Sequence, residues 1–408
     1  MKYSNAGRVS ILLVAVGAVL LLTSCSAGQA NVGQANASAP TSRPLFAPAP
    51  GPPIKIAGPS NVSVVDMNND GKLDLVLVSE RSRTVSVLLG DGVGQFRAAA
   101  AHTISVSSDP GEMSLGDVNG DGNHDLALAS HDSYDVTLLL GDGKGALALA
   151  PNSPIVMKEG QHPHTHGLGI GDLNGDGKLD LATVNNADND ISVSFGDGRG
   201  NFTNAPGSPY AVGPSPYPLA IGDMNNDAHL DIAATTTATG PQRPQQLSSS
   251  FALTLLLNDG RGIFRPNLVP VRTGQPWFVA IGDVNSDRKP DLVATHHDRS
   301  QLTVLLGNGR GGFAETTGSP FDFGRSVWQM VLADGNSDRK ADVIAASGNG
   351  VSVMLGDGRG NFKPAPHSPF LTGRGVWRLA AADVNGDGRI DVVTSNQESD
   401  SVGVLLGQ

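Results

Sequence analysis

One cysteine, Cys25, occurs in 408 residues. Without a second thiol no disulfide can form within the chain, so packing, hydrogen bonds or a bound ion must stabilise it. Charged residues are only 16% of the sequence, and the formal net charge is -11 with no basic run to offset it. A phosphate-binding surface needs clustered Lys and Arg, so nucleic acid is excluded as a partner. No apolar run reaches the roughly 20 residues of a membrane-spanning helix. A nucleophile elbow, a phosphate loop and a zincin pattern are all missing, and the chain is not expected to be an enzyme. Asp109, Asp298 and Asp400 could serve acid–base chemistry, but nothing in their spacing selects them.

What is abundant is glycine, at 52 residues, with 26 prolines. That composition points to many short strands joined by tight turns. The N-terminus departs from it. Lys2 and Arg8 precede an apolar run from Ile11 to Leu22, interrupted only by glycine, which has the length of a signal h-region. The run ends in Leu22-Thr23-Ser24-Cys25, which resembles the lipobox of bacterial lipoproteins. The resemblance implies a signal peptide over residues 1–24, lipidation of Cys25, and an extracytoplasmic place in a bacterial cell envelope, anchored to a membrane or cell surface through the lipid alone. An ordinary signal peptide followed by a chance cysteine is the alternative. Residues 25–44 carry the lipidated cysteine and an Ala/Gly/Ser/Asn/Gln/Pro stretch, too polar to bury a core, that reads as a flexible tether.

From residue 45 onward one pattern recurs seven times: Asp-x-Asn-x-Asp-x-x-x-Asp. It starts at Asp66, Asp117, Asp172, Asp223, Asp283, Asp334 and Asp383, with spacings of 51, 55, 51, 60, 51 and 49 residues. The 60-residue step contains a Pro/Gln/Ser-rich insert, Thr239 to Ser250, read as a surface loop. Each repeat holds four short runs rich in Val, Leu and Ile, separated by turn residues. In one repeat these are Phe278–Ile281, Asp291–Ala294, Leu302–Leu306 and a run opened by Phe313. Such runs are strands, and four antiparallel strands per repeat define a propeller blade. The expected fold is all-β, a seven-bladed β-propeller. The last repeat stops after its third strand, at Gly407-Gln408, while Phe46 to Ile54 has the spacing of the fourth-strand segments Phe202 to Tyr210 and Phe362 to Phe370. Residues 45–56 are therefore expected to complete the last blade and close the ring.

These repeats resemble the FG-GAP/VCBS repeats of integrin-α-type propellers over residues 45–408. In each loop, three aspartates and an asparagine place four oxygen-bearing side chains at alternating positions of a tight turn, a donor set suited to Ca²⁺. The candidate ligands are Asp66, Asn68, Asp70 and Asp74; Asp117, Asn119, Asp121 and Asp125; Asp172, Asn174, Asp176 and Asp180; Asp223, Asn225, Asp227 and Asp231. They continue with Asp283, Asn285, Asp287 and Asp291; Asp334, Asn336, Asp338 and Asp342; Asp383, Asn385, Asp387 and Asp391. The resemblance implies a further ligand, the carbonyl at position 7. The seven loops hold 21 of the 39 acidic residues. Aspartates also cap turns through backbone amides, but that explains one per turn rather than three carboxylates held together. Position 6 is glycine at Gly71, Gly122, Gly177 and Gly388, where a positive φ costs nothing. It is Ala228, Arg288 and Arg339 elsewhere, so loops 4, 5 and 6 are expected to bind more weakly. The role expected of calcium is structural.

Six residues before each first aspartate stand Ser60, Gly111, His166, Tyr217, Trp277, Trp328 and Trp377, which include all three tryptophans of the chain. The position opens the innermost strand on the face opposite the acidic loops. His166, Tyr217, Trp277, Trp328 and Trp377 should form an arc around the central opening. Two readings are open: a platform for a sugar or protein side chain, or bulky residues that plug the channel. The loops between second and third strands, with Arg81, Arg83, His131, Asp132, Tyr134, Asn186, Asp188, His296, His297, Asn396 and Glu398, should rim the same face. His162, His164 and His166 lie at alternate positions, so one side of an extended strand could hold a transition metal, with His296 and His297 joining from another blade. The function expected is a monomeric binding module recognising carbohydrate or protein. A polysaccharide lyase or hydrolase and a non-catalytic envelope scaffold are the alternatives.

Overall fold

A computed structural model describes residues 43–107, 109–236, 251–272, 275–296 and 299–408. Cys25, the signal segment, most of the tether and the insert between 239 and 250 lie outside the described residues. The described chain forms seven antiparallel sheets with a single short 3-10 turn, Gln397–Ser399, and no other helix. It is a seven-bladed β-propeller.

Each blade runs outward from an innermost strand. In the first blade Asn61–Val65 pairs Asp74–Ser79, which pairs Thr84–Gly90, which pairs Phe96–Ser105. The second strand is buried at every position, with Leu75, Val76, Leu77 and Val78 fully covered. A continuous apolar run rather than an alternating one is what a strand enclosed on both faces requires. The enclosing surfaces are the neighbouring blades. Val76, Val78 and Val87 of the first blade pack with Leu115, Leu126 and Leu128 of the second. The same side-to-side packing joins the last blade back to the first, through Val393 and Val402 against Leu75 and Leu77.

The fourth strand is continuous in two blades and broken in the others. Four breaks fall at a Ser-Pro pair, where proline cannot donate to the third strand. The serine hydroxyl takes over as acceptor: Ser153 Oγ from the Leu138 N–H at 3.0 Å, Ser208 from Val193 at 2.9 Å, Ser319 from Val304 at 3.2 Å and Ser368 from Val353 at 3.0 Å. Blades one and four carry no such pair and keep an unbroken outer strand, Phe96–Ser105 and Phe264–Val271.

The ring closes as the chain ends require. Phe46–Pro48 and Ile54–Lys55 both pair with Ser401–Gly407, in the registers Phe46↔Gly407 and Ile54↔Val402. Phe46 is buried between the last two blades, edge-on to Phe370 at 5.4 Å.

Candidate functional site

The acidic loops join first to second strands on one face. In the first, the Asp66 carboxylate accepts from the Asp70 N–H at 3.2 Å and the Gly71 N–H at 2.8 Å. Asn68 Oδ1 accepts from Asp70 at 3.0 Å, and Asp70 Oδ1 from Lys72 at 2.9 Å. The bond from position 6 to the first aspartate recurs in all seven loops, including the three without glycine. Ala228, Arg288 and Arg339 there take φ of 68°, 64° and 65°. All seven loops therefore share one backbone path, and three hold it against the steric cost of a left-handed residue.

The ninth-position aspartate does more than face a cation. Asp74 accepts from the Met67 N–H at 2.9 Å and from the Gly90 N–H, sixteen residues on, at 2.8 Å. Asp180 does the same with Leu173 and Gly196, both at 2.8 Å. Each such carboxylate ties its own loop to the end of the third strand. Glycine closes that strand in six blades because a Cβ on Gly90 would meet the Leu73 carbonyl oxygen at 2.1 Å. Asn258 stands there in the fourth blade and donates its side-chain amide to the Leu230 carbonyl at 2.9 Å. Burial, with the neighbouring loop aspartates adding to it, pushes these carboxyls up. Asp125, Asp231, Asp291 and Asp391 rise to about 6, and Asp180 and Asp342 to about 7.

The turn-capping role is thus filled at every aspartate of the pattern. Among the described residues, no loop brings one oxygen from each of its three aspartates within 4.8 Å of one another. The donors are hard oxygens with lone pairs to spare, so their chemistry fits Ca²⁺. Their convergence on one point requires the loop to tighten.

The opposite face carries the rings. His166 lies 4.1 Å from Tyr217, centroid to centroid; Tyr217 lies 4.2 Å from Trp277, Trp277 6.5 Å from Trp328, and Trp328 is stacked on Trp377 at 4.5 Å. The expected arc is one unbroken row of ring contacts across five blades. A β-bulge falls at this position in four of the five blades, for example between Thr165 and Gly167 and between Pro276 and Phe278. A bulge leaves its residue out of the ladder and re-aims its side chain. Trp377 is 38% exposed and the other four rings are half-buried.

One residue further along, four of the inner strands carry buried polar residues: Asn61, Glu112, Gln329 and Arg378. Glu112 and Arg378 form a buried ion pair, Asn61 donates to Glu112 at 3.3 Å, and the Arg378 guanidinium lies 5.2 Å from the Phe278 ring centre. Gln329 accepts from the Leu379 N–H at 2.8 Å. Reading the position after Ser60, Gly111, Trp328 and Trp377 in the aligned repeats would have exposed these residues in the sequence. Their pairing across blades would not have been visible.

The rim residues divide. Tyr134 donates to Asp188, and Lys158 bridges Asp188 and Asp190, each at 2.8 Å. These bonds hold the Asp188 carboxyl below the usual range even though burial opposes them. His296 and Asn396 do not belong to the rim; both are fully buried. His296 contacts Thr303 Oγ1 at 2.7 Å, and Asn396 donates to the Thr372 carbonyl at 3.1 Å. His297 and Asp298 lie outside the described residues.

The histidines converge differently from the alternation rule. His162 is exposed and stays outside the cluster, whereas His164, just before the strand that begins at Thr165, and His166 within that strand belong to it. Its place is taken by His131, from the preceding blade, whose ring lies 4.5 Å from His164 and 4.8 Å from His166. Burial, then the neighbouring histidines, push His166 down to about 3 and lower His164.

Fold and repeat together define the class: a seven-bladed propeller with one acidic loop per blade. A family model described as FG-GAP-like repeat matches residues 66–128, 117–183, 172–234, 283–345 and 334–394, more than half of the chain. The chain belongs to the FG-GAP-like repeat family. No curated protein matches its sequence. Solved structures resemble its fold at low identity. BBS1N in complex with ARL6DN is 11% identical with a TM-score of 0.61, covering 90% of this chain and 98% of that one. A candidate 6-phosphogluconolactonase from Bacteroides fragilis is 14% identical with a TM-score of 0.57, covering 76% and 84%. An Agrocybe aegerita lectin, described for recognition of non-reducing terminal N-acetylglucosamine, is 19% identical with a TM-score of 0.50, covering 76% and 79%.

Proposed function

We propose that the chain is an extracytoplasmic binding module, anchored by a lipid on Cys25, that takes carbohydrate on its aromatic row. The observation that carries this reading is the row itself: five rings in consecutive contact, partly exposed to solvent, four of them at bulges. Flat amphipathic rings offer large contact area at low entropy cost and suit the apolar faces of sugars. Sugar recognition by the Agrocybe aegerita lectin and the complex of BBS1N with ARL6DN are properties of those proteins. The row supplies rings rather than paired acids and bases, which favours binding over catalysis.

Calcium belongs to the same proposal. The first, third, fifth and ninth positions of each loop would hold it, and its charge would offset the repulsion among the carboxylates. Excess chelator is expected to lower the melting temperature by many degrees; an unchanged melting temperature would remove calcium from the account. In bacteria, Cys25→Ser is expected to move the protein out of the membrane fraction, and a variant that stays there would refute the lipid anchor.

The ligand reading is tested on a glycan array in millimolar calcium, with wild type beside the triple variant Trp277→Ala, Trp328→Ala, Trp377→Ala. Glycan binding by wild type that the folded variant lacks is expected. If the variant unfolds, the tryptophans are packing residues and the platform is wrong. If nothing on the array binds while a protein partner is recovered by pull-down, the ligand is protein.

A further inference from the structure

At one end of the aromatic row, three imidazoles meet from two blades. His131 comes from the loop after the second strand of blade two, His164 immediately precedes the inner strand of blade three, and His166 is the second residue of that strand. One ring nitrogen from each lies within 4.8 Å of the others, and the Nε2 atoms of His164 and His166 are 2.6 Å apart. In a tetrahedral site with metal–nitrogen bonds of about 2.0–2.1 Å, ligand nitrogens stand about 3.3 Å apart, which small ring rotations reach from here.

The backbone holds the three rings together without help from the rings. The Thr165 N–H donates to the His131 carbonyl at 3.3 Å, Thr165 Oγ1 to the Ser133 carbonyl at 3.0 Å, and the Asn186 N–H to the His164 carbonyl at 2.8 Å. Asp132 Oδ1 lies 3.3 Å from His131 Nδ1. A carboxylate on one ring nitrogen is the contact that fixes the tautomer of a ligating histidine and leaves Nε2 as the donor. Asp109 and Asp132 also gather around His131 as a second acidic group at the same place. All three rings are half-buried, so the pocket is shielded yet reachable.

We propose that His131, His164 and His166 bind a first-row divalent transition metal, with Zn²⁺ as the fitting ion. Three imidazoles are a borderline donor set that suits zinc, copper or nickel and does not suit calcium. Three protein ligands leave a fourth position open. Because His166 is the first ring of the row, that open position lies beside the sugar platform. The metal site stands whether or not the row binds sugar.

The test is a Zn²⁺ titration of the full chain by calorimetry, purified without a histidine tag and kept in millimolar calcium to occupy the acidic loops. Co²⁺ absorption reports the coordination. One site of micromolar or tighter affinity is expected, with visible Co²⁺ bands of a four-coordinate centre. His131→Ala, on a loop, should weaken binding at least 100-fold while the chain keeps its melting temperature. Asp132→Asn should weaken it about 10-fold, the usual size for an outer-shell partner. His162→Ala should change nothing. Absence of binding at about 1 mM Zn²⁺, or affinity unchanged in His131→Ala, would overturn the proposal. So would a loss caused by His162→Ala.

Discussion

Asp180 shows how much one side chain of the repeat carries. Its two oxygens accept N–H groups from Leu173 and Gly196 in a fully buried setting. Removing them strands two buried donors, at about 1–3 kcal/mol each. Asp180→Ala is therefore expected to cost about 2–6 kcal/mol in denaturant unfolding even with chelator present, because capping does not require the ion. A cost seen only with calcium would mean that the carboxylate serves the cation alone. Protonation follows from the same burial. A carboxyl raised to about 7 contributes its stability below the unfolded value of 3.8 and loses it as pH rises through about 7. The cation-free chain should weaken across that window. The calcium-induced rise in melting temperature should then be larger at pH 8 than at pH 5; equal shifts would contradict it. The aspartate spacing was legible in the sequence because it is strict and local. The partners of the ninth position were not, since Gly196 lies sixteen residues away and reads only as a turn residue.

At the scale of elements, the loops and bulges were legible to different degrees. Position 6 correctly signalled a left-handed residue, and Ala228, Arg288 and Arg339 adopt it. Arg288→Gly is expected to stabilise the chain by about 0.5–1 kcal/mol by relieving that conformation. A destabilisation on thermal or urea unfolding would show that the side chain earns its place by another contact. The ring position on the inner strands was legible by aligning repeats, because all three tryptophans share it. The bulge that aims it leaves no composition signal. His131 went unassigned to His164 and His166 because the three converge only when adjacent blades pack. His162 was grouped with them by alternation, but the chain before Thr165 is not strand, and there His162 is exposed while His164 meets the other two rings.

Across the whole molecule, closure depends on a few residues from the chain's start. Phe46 is 2% exposed and wedges between the last two blades. Phe46→Ala is expected to cost about 3–5 kcal/mol, as for other buried aromatics cut to alanine. Deleting residues 43–56 would bare the edge of Ser401–Gly407, and an open edge pairs with other chains. Such a truncation should elute as oligomers in size-exclusion chromatography, and a stable monomer would contradict the closure role. This closure was legible because a missing fourth strand at one end matched a spare one at the other. What a ring recognises is not legible in the same way, since similar propellers serve different chemistry.

The aromatic row is the centre of the account, and the chain has tryptophan nowhere else: its three tryptophans are Trp277, Trp328 and Trp377. Intrinsic tryptophan fluorescence therefore reads the row and nothing besides. The measurement that tests the account most directly is that emission during titration with a panel of oligosaccharides in calcium. A saturable shift or quench with at least one sugar is expected. Emission that stays flat across the panel, or across a sugar shown to bind by other means, would contradict the row as the ligand site.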